Sequence, residues 1–441
     1  MPTLLRSRAR SRAAVGFAIA SVVVLAAMVL PGLLGWDVRT HSKAVNPVPP
    51  LHSTWDPKVG LGTVPAVLLA LLSWRYAIDL AERLSWRRLL LASWVLAAAW
   101  MVSLAFVDGP EGISRSLGNP YEYLETARAV QDVPAMLHEF VSRIPMDAPD
   151  NWVTHVAGHP PGALLFFVLL DRVGLGGDFA AGLVVTLVGA TTSAGVLVTV
   201  RALGAEAMAR RAAPFLVLGP AAIWMAVSAD AVFAAVAAWG LAALAIGAVR
   251  RSWTHSMLAG LLLGTCVLMS YGLPLLGILA VTILVLARTW RPLPVAVAAA
   301  LAVVLAFAAL GFRLWEAYPV LRERYWDGIA SDRPASYWIW ANLAVLVLSA
   351  GPLVAAGWAQ LTERSSWTPP TIAALATAAT ASIVIADLSQ MSKAEVERIW
   401  LPFVPWMLLA AALLPERWRR WGLACQLLVA LALQHLLYTS W

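Results

Sequence analysis

Four carboxylates stand where they could take a proton from a substrate hydroxyl group. Asp108 and Asp230 each lie at the end of a long apolar stretch, in "VSLAFVDG" and "AVSADAVF". A carboxylate at such a boundary is partly dehydrated, which suits it to proton transfer. Glu122 and Glu125 follow in "NPYEYLETARA". The sequence therefore predicts Asp108 or Glu122 as a catalytic base, with Glu125 and Asp230 at a binding site.

Two histidines precede an apolar run in "THVAGHPPGALLFF". His155 and His159 have the i, i+4 spacing that holds a metal on a helix. Gly158 and the pair Pro160-Pro161 disfavour a helix there, and the sequence has no further cluster of metal ligands. We therefore predict no metal ligands in this segment. His155 and His159 are expected to offer a hydrogen bond to an anionic or hydroxyl group.

Cations and aromatic side chains occur together in two later segments, "RLWEAYPVLRERYWDGIASDRPASYW" and "MSKAEVERIWLPFVPW". Guanidinium groups bind phosphate and flat rings stack on sugars, so this composition suits a phosphorylated, sugar-bearing ligand. The candidate binding residues are Arg322, Arg324, Tyr325, Arg333, Lys393 and Arg398.

The composition of the chain restricts the elements that can hold these residues. Of the 441 residues, 60% are hydrophobic and only 13% are charged, about half the usual share for a soluble protein. This predicts an all-α polytopic membrane protein in contact with the lipid bilayer. The net charge of +7 would point to nucleic acid in a soluble chain, but no nucleic-acid partner is expected here.

Apolar runs of suitable length predict about thirteen transmembrane helices. They lie at 14–35, 61–80, 88–107, 178–200, 212–229, 231–249, 256–271, 273–288, 293–312, 336–359, 371–387, 399–414 and 421–438. We predict one two-span extension with an outer loop at 1–87, followed by a membrane core at 88–441. The core carries long outer loops at 108–177 and 313–335.

The distribution of arginine predicts the orientation of the chain. A cytoplasmic N-terminus in a plasma membrane places most arginines in short inner loops, as the positive-inside rule requires. The segment 162–176 is too short to span, and we predict that it dips into the outer leaflet. A span there would move three inner groups outside: Arg201, Arg210 and Arg211; Arg250 and Arg251; Arg417, Arg419 and Arg420.

The outer loop after Asp108 predicts an interfacial helix. From Leu124 to Ile144 the apolar residues recur at steps of three and four, which is typical of an amphipathic helix. We expect this helix to lie in the outer interface, bent at Pro134, with Glu122 and Glu125 facing water or a cavity.

Taken in order, these motifs resemble the GT-C superfamily of membrane glycosyltransferases. The resemblance is strongest to the protein O-mannosyltransferase and lipid A aminoarabinose transferase branch, and it covers residues 88–415. That branch has an acidic residue after a span, a Tyr-x-Glu pattern, a His-Pro-Pro turn, a later acid and a late arginine. The matching residues are Asp108, Tyr123-Leu124-Glu125, His159-Pro160-Pro161, Asp230 and Arg398.

The resemblance implies a GT-C-like fold and an extracytoplasmic active site. The donor would be a polyprenyl-phosphate sugar and the acceptor a hydroxyl group on a glycan, lipid or protein. An outer carboxylate would take the acceptor's proton, and the configuration would invert. Arg398, Lys393 or the arginines of the outer segment 313–335 would stabilise the leaving phosphate. Some members of the superfamily use a divalent metal, and the sequence leaves this cofactor open.

Two other functions are compatible with the sequence. A transporter or flippase of a lipid-linked or anionic substrate would contain helices broken in mid-membrane, and "MSYGLPLLG" at 269–277 is one such candidate. A non-catalytic scaffold would not need acids, histidines and arginines on one face.

Overall fold

The protein is mostly helical, and its computed structural model describes residues 2–40 and 46–439, with side chains from residue 12 onward. Helices follow from the composition, because a backbone in lipid must satisfy its polar groups internally. The first helices are α1 Pro2–Leu34, α2 Thr63–Arg83, α3 Trp86–Ala105, α4 Glu111–Ser114, α5 Tyr123–Ala129, α6 Val133–Glu139, α7 Thr154–Gly158 and α8 Pro161–Arg172.

The second part of the chain continues this pattern. Its helices are α9 Asp178–Gly189, α10 Thr192–Ala202, α11 Glu206–Val217, α12 Ala221–Met225, α13 Ala229–Arg250, α14 Trp253–Val267, α15 Leu276–Leu286, α16 Leu293–Ala309, α17 Leu314–Asp327, α18 Ala335–Ala350, α19 Leu353–Gln360, α20 Thr371–Leu388, α21 Val396–Ile399, α22 Val404–Leu408 and α23 Glu416–Leu436. Short 3-10 helices lie at Phe106–Asp108, Val141–Arg143, Leu273–Leu275, Arg364–Trp367 and Leu409–Leu413.

Among the described residues, six helices are long and apolar enough to cross a membrane, or up to eight if each of two bent pairs is one span. They are Arg12–Leu34, Thr63–Arg83, Trp86–Asp108, Asp178–Ala202, Ala229–Arg250 and Thr371–Leu388. The predicted spans at 256–271, 273–288 and 399–414 fall on shorter apolar helices. The central span is α13, since 78% of its most apolar window is buried, against 22% for α1.

Two of the predicted spans are broken. The predicted span 212–229 divides into α11 and α12, and the predicted span 336–359 bends by 103° between α18 and α19. Gly351, at the second break, has φ +93°, a conformation that side chains with a Cβ rarely adopt. The buried amide of Gln426 donates 2.9 Å to the Ala350 carbonyl and accepts 3.4 Å from the Leu353 N–H. Gln426 therefore satisfies backbone groups that the bend releases.

The ion pairs of the described residues separate into two groups, one at each end of the helices. One group joins the segments 37–58, 108–178, 230, 313–333 and 393–398. The other joins segments at 12, 75–82, 201–210, 363 and 416–420. We call the first the loop face and the second the basic face. Within the described residues no ion pair crosses between them, as the predicted alternation of loops requires.

The loop face is built from short helices. The amphipathic segment is two helices, α5 and α6, and the predicted bend at Pro134 is wrong because the break precedes it. Asp132 accepts a hydrogen bond from the Ala135 N–H at 3.0 Å and so caps α6. The expectation that no helix forms at His155 is also wrong, since α7 makes one short turn. His159 lies just beyond this turn in extended backbone.

The predicted short apolar segment 162–176 is largely the helix α8, Pro161–Arg172. Pro161 occupies its first turn, where the missing N–H costs nothing. Twelve residues rise about 18 Å, too little to cross a bilayer. After α8 the chain returns to its starting side, because Arg128 donates to the Gly176 carbonyl at 2.6 Å and Arg172 donates to the Gln131 carbonyl at 3.4 Å.

A two-stranded antiparallel sheet, absent from the all-helical prediction, fastens the loop face. Strand β1, Ser53–Trp55, pairs with strand β2, Leu437–Thr439, which directly follows α23. Residues on the loop after α1 thereby lie beside the end of the last helix. This pairing places both on one face, which is the arrangement that an even number of intervening crossings produces.

We expect Gln426→Leu to destabilise the protein by about 1–3 kcal/mol, because two buried backbone groups lose their partner. The free energy of unfolding in mixed detergent measures this effect. Gln131→Leu, an exposed glutamine on the loop face, is the matched control. Equal stability of Gln426→Leu and the native protein would show that the bend does not depend on this amide.

Candidate functional site

A buried cluster on the loop face gathers side chains from four distant segments. Arg398 Nη1 donates 2.9 Å to Glu122 Oε1, and Arg398 Nε lies 3.1 Å from Asp230 Oδ2. Arg398 Nη2 lies 3.2 Å from His155 Nε2, and His155 Nδ1 lies 2.5 Å from Glu122 Oε1. Arg398, Glu122 and Asp230 are each at most 5% exposed. The cluster therefore brings together four predicted site residues, with Glu122, Asp230 and His155 in contact with the guanidinium group of Arg398.

Each member of the cluster is placed by the end of a helix. Glu122 immediately precedes α5, His155 lies in α7, and Asp230 is in the first turn of the central span α13. An acidic residue in the first turn is favoured by the helix dipole. Arg398 belongs to the short helix α21. Because polar residues prefer helix ends at the membrane surface, these four ends can meet where the spans emerge.

His159 extends the cluster through aromatic contacts. Its Nδ1 lies 2.8 Å from the Tyr123 hydroxyl and 2.9 Å from the His155 carbonyl. Tyr123 stacks on Phe167 of α8 with 5.0 Å between ring centroids, and the His159 ring lies 5.6 Å from Phe233 of α13. The predicted His-Pro-Pro turn thus holds its histidine between α8 and α13, beside the guanidinium cluster.

The electrostatics of the cluster favour an ionised Glu122 and a neutral His159. Burial alone would raise the pKa of Glu122, but the neighbouring His155 and Arg398 lower it to about 2. Burial lowers the pKa of His159 to about 4, against a hydrogen bond to the His155 carbonyl that raises it. Glu122 Oε2 is buried and has no hydrogen-bond partner among the described residues. One carboxylate oxygen is therefore engaged and the other is available to a ligand.

One tautomer of His155 fits its two contacts. The guanidinium group of Arg398 has donors only, so His155 Nε2 must accept. A carboxylate oxygen 2.5 Å from Nδ1 requires a proton between the two atoms, so Nδ1 must carry it. These two contacts therefore favour the tautomer that carries its proton on Nδ1 and turns Nε2 to Arg398.

Several predicted ligand residues instead hold the segment that carries Arg398. Arg333 donates to the Lys393 carbonyl at 2.6 Å and to Glu395 Oε1 at 2.8 Å. Lys393 Nζ donates to the Ala330 and Arg333 carbonyls at 3.2 and 3.1 Å, and the Tyr325 hydroxyl accepts from the Lys393 N–H at 3.0 Å. The structure thus uses Arg333, Lys393 and Tyr325 to fix a loop.

The segment needs such support because its backbone is strained. Gln390, Ala394 and Glu395 all have positive φ, between +58° and +66°, which costs free energy for residues with a Cβ. His52, from the loop after α1, donates its N–H to Glu397 Oε1 at 3.3 Å. Arg398 is therefore presented by a segment that neighbouring elements hold in an unfavourable conformation.

The remaining predicted residues lie apart from these contacts. Arg324 donates to the Ile144 carbonyl and, at 2.9 Å, to the Trp152 carbonyl, so it fastens the loop after α6. Arg322 and Glu125 are exposed. The structure assigns no cluster contact to these three side chains among the described residues.

Asp108 lies in a second polar site. Lys58 Nζ is 2.8 Å from its Oδ1, Gln434 donates 3.0 Å to its Oδ2, and Arg115 Nη2 is 3.5 Å from Oδ2. This carboxylate bounds a small cleft that Arg115, Gln434 and Val227 also line. Asp108 therefore joins the first loop to the last helix. Sequence analysis missed its partners, because Gln434 lies 326 residues away and Lys58 is separated from Asp108 by two predicted spans.

No protein-family model matches the chain, and no curated protein matches it.

Among the described residues, no group of three or more His, Cys, Asp or Glu side chains could hold a metal ion.

We expect Arg398→Met to lower the free energy of unfolding by about 3–5 kcal/mol, because it leaves two buried carboxylates without their cation. Adding Glu122→Gln to this variant should restore part of the loss, since one of the two charges is then removed. Thermal or detergent unfolding of both single variants and the double variant measures the coupling. Arg322→Met is the control, and strictly additive effects would contradict the assigned pairing.

Proposed function

We propose that the protein is a membrane glycosyltransferase with a GT-C-like fold that uses a polyprenyl-phosphate sugar and transfers it, with inversion, to a hydroxyl group of a glycan, lipid or protein. The observation that carries this proposal is the contact of Arg398 with Glu122, Asp230 and His155. A cation, two carboxylates and an imidazole at one point are the groups that phosphate departure and proton removal need.

Arg398 supplies the phosphate-binding group of this site. A guanidinium group pairs with phosphate oxygens through directed hydrogen bonds, and it retains its charge when buried. Its position at the membrane surface suits a ligand whose head group is charged and whose tail is apolar. Pairing of Arg398 with the leaving phosphate would stabilise the charge that develops there.

An apolar cavity lies next to the elements that carry the cluster. Its walls include Ala222 and Met225, shortly before Asp230, and Leu401 and Val404, shortly after Arg398. Met101 of α3 also lines it. Its volume is about 30 Å³, too small for an isoprene unit, so a lipid tail would enter here only if these helices moved apart.

Glu122 is the carboxylate of the proposed reaction centre. It contacts Arg398 and His155, and one of its oxygens has no partner among the described residues. Asp108, the other carboxylate that the sequence suggested, is already engaged by Lys58, Arg115 and Gln434. The geometry therefore favours Glu122 over Asp108.

The membrane arrangement completes the proposal. The chain would cross a plasma membrane about thirteen times with its N-terminus in the cytoplasm and the loop face outside. The separation of the ion pairs into two faces supports two-sided placement. The arginine-rich basic face is the side that the positive-inside rule assigns to the cytoplasm.

A transporter is the second candidate, and one observation favours it. The breaks between α11 and α12 and between α18 and α19 both approach Gln426, since a Cβ on Gly219 would lie 3.2 Å from its amide nitrogen. Paired helix breaks inside a bundle are typical of transporters. However, Gln426 and Trp100 already bind carbonyls at these breaks, and the charged cluster lies at the helix ends. We therefore favour the enzyme.

Glu122→Gln should lower sugar transfer from a polyprenyl-phosphate donor by at least about 100-fold, because the site loses its anion. Release of polyprenyl phosphate in detergent micelles measures the rate. Glu139→Gln, an exposed glutamate on α6, is the matched control. A larger loss in Asp108→Asn than in Glu122→Gln would transfer the role to Asp108.

Cysteine labelling tests the orientation. In a background lacking Cys266 and Cys425, Asp147→Cys should react with an impermeant maleimide in intact cells, because Asp147 is exposed on the loop face. Arg251→Cys, exposed in a predicted inner turn, should react only after permeabilisation. The opposite pattern would invert the proposed topology.

A further inference from the structure

We propose that Glu122 and His155 act as a carboxylate–imidazole pair in which His155 Nε2 accepts the proton of the acceptor hydroxyl group, and that Arg398 occupies this nitrogen until a donor phosphate binds. This inference rests on the proposed function and names the atom that receives the proton.

The pair has the geometry of an oriented base. Glu122 Oε1 lies 2.5 Å from His155 Nδ1, which fixes the proton on Nδ1 and directs the lone pair of Nε2 away from the carboxylate. A second contact fixes the segment, because the His155 N–H donates 3.1 Å to the Tyr121 carbonyl. An imidazole that is oriented by a carboxylate in this way can take the proton of a hydroxyl nucleophile and so activate it.

Arg398 blocks the base in the structure. Its Nη2 lies 3.2 Å from His155 Nε2, while Nη1 and Nε engage Glu122 and Asp230. A phosphate oxygen needs to replace only the contact at Nη2. A phosphate oxygen carries a negative charge that attracts the guanidinium group, whereas the imidazole nitrogen is a neutral acceptor, so phosphate should win this exchange. The two carboxylate pairs remain in place while Nε2 becomes accessible.

The reaction then balances. The acceptor oxygen forms a bond to the anomeric carbon, the bond from that carbon to the phosphate oxygen breaks, and its electron pair leaves with the phosphate. The acceptor proton moves to His155 Nε2, and Glu122 stabilises the imidazolium. Arg398 Nη2 stabilises the new charge on the polyprenyl phosphate.

Glu122 is less suited to receive the proton itself. With its pKa lowered to about 2, it is a weak base at neutral pH. Its role as the anion that orients and stabilises an imidazolium needs this low pKa. The other groups facing His155 are Arg398, Asp230, His159 and Tyr123. The two carboxylates outnumber the single guanidinium, so a proton on His155 brings the cluster closer to neutrality.

The blocked base gives the reaction an order. Without a donor, Nε2 is covered and no hydroxyl group is activated, so water in the site is not deprotonated. Donor binding uncovers the base only when the phosphate is already in contact with Arg398. We therefore expect compulsory binding of donor before acceptor.

The pH dependence of transfer separates His155 from Glu122 as the base. In His155→Gln, kcat/KM should fall at least about 100-fold and its acid limb should disappear, because amide nitrogen accepts no proton. In Glu122→Gln, a reduced rate should keep an acid limb that moves to lower pH, because the imidazolium loses its anionic neighbour. His138→Gln, an exposed histidine on α6, is the control. An acid limb that persists in His155→Gln and vanishes in Glu122→Gln would overturn the proposal.

A binding experiment tests the same step without turnover. Polyprenyl phosphate carries the charge of the product, so its binding at pH 8 should draw up to about one proton onto His155 from the buffer. Isothermal titration calorimetry in buffers of different ionisation enthalpy counts this proton, which should be absent in His155→Gln and present in His138→Gln. Polyprenol of the same chain length serves as the uncharged control.

The outcomes of these experiments distinguish failure of the role assigned to His155 from failure of the proposed function. Binding of polyprenyl phosphate with equal proton uptake in native protein and His155→Gln would overturn the role of His155 and leave the proposed function standing. Failure of the native protein to bind polyprenyl phosphate and to transfer sugar would overturn the proposed function.

Discussion

The buried guanidinium group of Arg398 is the interaction on which the loop face depends. A charge removed from water must be neutralised nearby, and Glu122 and Asp230 provide this compensation from elements far apart in sequence. Asp230 belongs to the most enclosed span, whereas Glu122 and His155 belong to loop-face helices. The pairing therefore ties the position of the loop to the centre of the membrane bundle. A shift of any one element would leave a buried charge without its partner.

The sequence predicted which residues form this cluster, but it did not predict the roles of the residues around the cluster. Boundary acids, the His-Pro-Pro turn and the late arginine were recognisable because charged groups in an apolar chain must gather at helix ends. Glu122, His155, Asp230 and Arg398 do meet. Arg324 was indistinguishable from a ligand residue, since nothing local shows that its partners are the carbonyls of Ile144 and Trp152.

The fold was predictable to a similar extent. Hydropathy located the apolar segments, but it could not show that 212–229 and 336–359 are broken. A break in lipid is stable only where a partner satisfies its backbone, and for the second break that partner is Gln426 on a distant helix. The two short strands were equally hidden, because three residues carry no periodicity that hydropathy can detect.

The pairing of β1 with β2 also has a consequence for biogenesis. β1 follows the first helix, whereas β2 follows the last, and Gln434 of that last helix completes the contacts of Asp108. A ribosome synthesises the first loop long before its partners exist. The loop must therefore remain unpaired until the final helix has been made. Closure of this face is a late event in assembly, so a chain released early would form its helices yet lack a finished loop face.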